Sequence, residues 1–198
     1  MERSRYLTLL ILLGMLTALT ALSIDPTLPS MPDVAHEFGV ENAVAQLSLI
    51  SFMLGIAAGQ LVVGPLADRF GRRPVILFAI IVYVAAAAGG AMAADIQWLV
   101  GFRLIQGLAA CAGQILPRTV IRDKFESVDA AKLLSYVMMI HGIAPIIGPI
   151  LGAHLAVALS WRAVYWFNVA YGSLVFIFVW ALLAESIPKR DLRALNLP

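Results

Sequence analysis

The chain of 198 residues is 61% hydrophobic and only 13% charged, whereas soluble domains run roughly 45–50% apolar and about 25% charged. This excludes an ordinary soluble globular protein, and equally a disordered chain, which needs the opposite composition. The formal net charge is only +2, but the 14 basic and 12 acidic residues are clustered. Long uncharged runs lie between the clusters: 7–24, 42–67, 74–94, 96–117 interrupted only by Arg103, 133–161 and 163–184. A helix needs about 20 mostly apolar residues to cross a bilayer. The sequence therefore predicts an all-α membrane protein with six transmembrane helices, at about 6–25, 42–64, 75–94, 97–118, 132–158 and 162–184, and a tail over 185–198.

In chain order, Arg3 and Arg5 precede the first run, which exceeds the usual core of a signal peptide and lacks a small-residue cleavage site. It is expected to stay as the first span, with Asp25 at its outer end. Residues 26–41 contain Pro26, Pro29 and Pro32, which should stop a simple helical continuation. The third and fourth spans are joined only around Asp95 and should pack as antiparallel neighbours. The polar stretch 118–132 links the fourth and fifth, with room for a short interfacial helix. Cys111, the single cysteine, sits inside the fourth run and permits no intrachain disulfide. His36, His141 and His154 are far apart in the chain and the acids are scattered. No metal, cofactor or catalytic centre is expected, and the chain does not read as an enzyme.

With the N-terminus in the cytoplasm, the inner segments hold Arg3, Arg5, Arg69, Arg72, Arg73, Arg118, Arg122, Lys124, Lys132, Lys189, Arg190 and Arg193. The outer loops hold Arg162 with Asp33, Glu37, Glu41 and Asp95. The positive-inside rule then places both termini in the cytoplasm. Lipid head groups and topology suffice to explain the basic clusters, and no nucleic-acid partner is expected.

The connection between the second and third spans reads Gly64-Pro65-Leu66-Ala67-Asp68-Arg69-Phe70-Gly71-Arg72-Arg73-Pro74. Its two glycines are expected to bracket a tight turn. Asp68 should pair with the arginines or cap a neighbouring helix. A merely basic loop explains Arg69, Arg72 and Arg73 but not the Gly–Asp–Gly framework. The segment resembles the loop signature G-x-L-A-D-R-x-G-R-[RK] of the major facilitator superfamily, where it acts as a conformational gate. Arg103-Leu104-Ile105-Gln106-Gly107 is similar to that family's R-x-x-Q-G signature. Residues 144–153 resemble its antiporter signature g-x-x-x-G-P-x-x-G-G through Pro145, Gly148, Pro149 and Gly152, although Ala144 and Ala153 replace the outer glycines and Pro145 is added. The stretches 24–32 and 160–168 resemble the bicyclomycin/chloramphenicol-resistance (Bcr/CflA) subgroup of multidrug:proton antiporters.

The resemblance covers essentially the whole chain. It implies a major-facilitator-type half of 3+3 helix repeats, although the two triplets share no clear sequence similarity. It also implies a bacterial inner membrane, efflux of varied drug-like compounds and proton influx as the drive. On this reading Asp25 is the expected proton carrier, Arg103 the group that tunes it, and His141 a second titratable candidate. Chemistry alone leaves alternatives open: a turn residue before Pro26, a structural arginine, a core histidine. Gln60, Gln106, Gln114, Tyr136, Met138 and Asn168 are candidates to line a cavity, and packing explains them as well. The family carries two six-helix halves around a midplane site, and this chain has one. Either it is a transporter half, as an N-terminal half or fragment or as a half-size protein completed by a second six-helix half in a homodimer or on a separate chain, or it is a non-transporting scaffold or regulator that pairs with a full-length transporter.

Overall fold

The computed structural model describes residues 3–185. The expected tail beyond Glu185, with Lys189, Arg190 and Arg193, lies outside the described residues. The chain folds as α1 (Arg3–Ile24), a 3-10 turn (Asp25–Ser30), α2 (Met31–Phe38), α3 (Asn42–Phe70), α4 (Arg72–Ala91), α5 (Ile96–Lys124), α6 (Ser127–Ala158) and α7 (Trp161–Leu182). Among the described residues there is no strand. Six helices are long and apolar enough to cross a membrane, the first running from Tyr6 through α2 to Phe38. The protein is a multi-pass membrane protein.

Three connections differ from the sequence expectation. Residues 26–38 are not a loop: the prolines give a 3-10 turn and then α2, because Pro at the first positions of a helix removes only an N–H that has no partner there. The helix ends at Gly39, whose φ of 63° is the left-handed cap that favours glycine. Gly64 does not bracket a turn either. It and Pro65 lie inside α3, which runs on to Phe70, so the connection shrinks to Gly71. Membrane helices tolerate such prolines because neighbours re-satisfy the freed backbone groups. Finally, α5 passes Pro117 and ends only at Lys124, while α6 starts at Ser127. The 118–132 stretch is therefore two helix ends rather than a separate interfacial helix.

The packing follows a two-fold rule. Helix α3 packs on α5, α4 on α5 and α7, and α1 on α6, α5 and α7. Exchanging α1 with α5, α3 with α6 and α4 with α7 maps these seams onto one another, as expected for 3+3 repeats. Two of the exchanged seams use the same device. A Cβ on Gly55 or Gly107 would overlap the backbone across the α3/α5 seam. One on Gly148 or Gly152 would overlap Asp25 or Pro26 where α6 meets the end of the first span. Lipid tails give helices no hydrophobic reason to associate, so close backbone approach at small residues supplies the contact energy instead. The centre is filled by Leu12, Leu13, Leu16, Leu116, Val137 and Val175.

Candidate transport site

Asp25 opens the 3-10 turn at the point where the first span changes helix type. Its side chain is half-buried and its Cβ lies where a Cβ on Gly148 would have to go, at 2.5 Å. The turn is pinned by Thr27, whose hydroxyl donates to the Ile24 carbonyl at 2.6 Å. The antiporter-like run on α6 is thus the wall against which Asp25 stands. Pro145 and Pro149 lie within the same helix. His141 lies two turns earlier on α6, with Nδ1 3.2 Å from the Thr17 carbonyl oxygen and within Coulombic reach of Asp25.

Arg103 is fully buried and stands elsewhere. Its Nη1 donates to Gln106 Oε1 at 3.0 Å and its Nε to the Ser48 carbonyl at 3.4 Å. The guanidinium covers the Phe52 ring at 4.1 Å and lies 5.7 Å from the Tyr165 ring. Among the described residues no ion pair joins it to Asp25 or to any other carboxylate. Gln106 lies beside Tyr83, whose hydroxyl is 2.5 Å from Ser23 Oγ. Because Ser23 already donates to the Leu19 carbonyl, Tyr83 is the donor of that bond. The structure therefore brings Asp25 together with α6 and His141, and Arg103 together with α3 and α7.

The basic end carries a second constellation. Arg72 pairs with Asp68 at 2.6 Å and with Asp123 at 3.2 Å, joining α3, α4 and α5. Gly71, at φ 105°, has the backbone that favours glycine. The space a Cβ would take there is filled by the Glu185 carboxylate. That carboxylate accepts from the Arg72 and Arg73 amides at 3.0 and 3.3 Å, so an acid from beyond α7 caps the N-terminus of α4. Arg73 donates to the Trp180 carbonyl, and Arg69 rests on the Phe70 ring.

At the opposite end Glu37 accepts from Trp161 Nε1 at 2.5 Å and pairs closely with Arg162, which also donates to the Ala93 carbonyl. The clamp ties α2 to α7 and to the α4–α5 turn. Sequence reading noted Glu37 and Arg162 only as loop charges. The remaining candidates scatter. Gln60 and Tyr136 are exposed, Gln114 and Met138 half-buried, and Gln106 and Asn168 sealed in the interior. No cluster of metal-ligating side chains exists among the described residues.

A short basic connection at Gly71, a small-residue wall on α6 and six spans in a 3+3 arrangement define the class of fold. Residues 11–196 match the Major Facilitator Superfamily, and the chain belongs to that family of membrane transporters. It is 34% identical over 184 residues to the "Uncharacterized MFS-type transporter YdgK" of Bacillus subtilis (strain 168), covering 92% of this chain and 46% of the relative. It is 29% identical over 190 residues to the "Bicyclomycin resistance protein homolog" of Haemophilus influenzae, covering 96% and 48%. The chain thus spans about half the length of these curated relatives. Its fold superposes on the proton:xylose symporter XylE with a TM-score of 0.80 at 15% identity, over 94% of this chain and 46% of that one. The family moves small molecules across lipid bilayers, and resistance proteins of the Bcr/CflA type are among this chain's relatives.

Proposed function

We infer that this chain is one half of a multidrug:proton antiporter of a bacterial inner membrane, with both termini cytoplasmic, working with a second six-helix half. The observation that carries the reading is the placement of Asp25: a half-buried carboxylate at the break of the first span, set against the antiporter-like run of α6. An exchanger needs a group that drug and proton compete for. A carboxylate at a point where the helix changes type can alter its surroundings as the turn tightens or relaxes. His141 adds a second titratable group on the same wall. Asp68, Arg72 and Asp123 form the gate of the basic end, where opening toward one face separates α3, α4 and α5 from the second half. Each proton entering down 100 mV releases about 2.3 kcal/mol. That supports a roughly fifty-fold gradient of a neutral drug at one proton per drug, since about 1.4 kcal/mol is a factor of ten.

The test is efflux of a fluorescent cationic dye from cells and proteoliposomes under an imposed pH gradient, with Asp25→Asn against the native chain. We expect Asp25→Asn to insert normally and to lose proton-coupled efflux. Unchanged efflux would remove Asp25 from the mechanism. No pH-driven efflux from either protein, when each is seen to be paired, would favour a non-transporting scaffold.

A further inference from the structure

Tyr165, Asn168 and Gly172 follow one another along one face of α7, all buried. On α4, which runs antiparallel, Gly90 meets the Tyr165 ring and Tyr83 meets Gly172. Asn168 is therefore bracketed between the two tyrosines, both of which lie in the field of Arg103. This layer of the bundle is polar and shut off from the surface: Arg103, Gln106, Tyr165 and Asn168 are each 0% exposed. Yet Arg103 Nη2, Gln106 Nε2, the Tyr165 hydroxyl and both amide atoms of Asn168 complete no hydrogen bond within the protein. Gln106 and Tyr165 come only alongside Tyr83 and Ser48.

The chemistry of these atoms selects their partner. Guanidinium and amide nitrogens only donate, so Arg103, Gln106 and Asn168 cannot satisfy one another through nitrogen. Asn168 Oδ1 needs a donor. A bound anion would accept from the three nitrogens but donate nothing, and would leave Asn168 Oδ1 dependent on the Tyr165 hydroxyl alone. Water does both, and each molecule accepts about two hydrogen bonds and donates about two. We propose that Arg103, Gln106, Tyr165 and Asn168 wall a buried hydration site that holds about two ordered waters between α4, α5 and α7. The site is separate from Asp25 and stands whether or not the chain transports. It would carry the charge of Arg103 without a counter-ion and tie three spans through one exchangeable layer.

Hydroxyl-radical footprinting by brief X-ray irradiation tests this on the full chain in detergent, because ordered waters generate radicals where they sit. We expect Tyr165 to be oxidised despite its burial, while Leu116 in the apolar centre is not. The oxygen built into Tyr165 should change only slowly from 16O to 18O as the delay between mixing with 18O water and irradiation is lengthened. An unmodified Tyr165 alongside a modified, exposed Tyr136 would overturn the proposal. Asn168→Leu should abolish labelling of Tyr165 and leave Tyr136 unchanged; persistent labelling of Tyr165 in a folded variant would also overturn it. Stabilisation of the fold by millimolar bromide would assign an anion to the site instead.

Discussion

Arg103 holds three kinds of contact at once: a side-chain amide, a backbone carbonyl and an aromatic face. The flat fork of a guanidinium can do this, and the point charge of an ammonium cannot. Arg103→Lys is therefore expected to destabilise the protein by about 2 kcal/mol, since a buried donor or acceptor left unmade costs roughly 1–3 kcal/mol. Thermal unfolding in detergent followed by tryptophan fluorescence measures this, and an unchanged midpoint would count against the contact set. Gly71→Ala should cost about as much, because it combines positive φ with a methyl group driven into Glu185. The sequence made the depth of these residues legible but not their direction. Height does not say which neighbour a side chain faces, and here Asp25 faces α6 while Arg103 faces α3 and α7. Glu185 was likewise invisible as a cap, because its partners lie 112 and 113 residues away.

Helices were legible as elements and their ends were not. Twenty uncharged residues announce a span whatever surrounds it, since in lipid only a closed backbone is affordable. Proline misled the reading at 26–32, where it starts helices instead of stopping them, while the glycine pair hid the end of α3 and the polar run after residue 117 hid the end of α5. The seams give a sharper test. Gly107→Ala would push a methyl group into the Phe52 carbonyl and force α3 and α5 apart. A loss of about 2–3 kcal/mol follows from overpacking of this kind. Gly142, in the interior of α6, has open space around its missing Cβ. Gly142→Ala should raise stability by up to about 1 kcal/mol through helix propensity. A midpoint shift in the same direction for both variants would show that the seams, as drawn, do not control stability.

For the whole molecule, the exchange of α1, α3 and α4 with α5, α6 and α7 is a property of packing rather than of sequence. The two triplets share no clear similarity, yet their seams map onto each other. Twofold packing needs small residues and apolar bulk in the right places, and many sequences provide those. The expected pairing of halves belongs to this scale. Light scattering of the purified chain, corrected for bound detergent, should give the mass of a dimer if the chain completes itself. A strictly monomeric protein would remove self-pairing as the route to a two-half cavity.

The capping of α4 by Glu185 has a consequence for biosynthesis. A chain enters the membrane from its N-terminus, so α4 is in place while the acid that covers its first amides is still unmade. Until the sixth span has followed, the turn at Gly71 stands open. When Glu185 arrives, it joins the beginning of the third span to the exit of the sixth. Order of synthesis and order of capping therefore run opposite ways: the third span is early to be made, and its first amides are late to be covered.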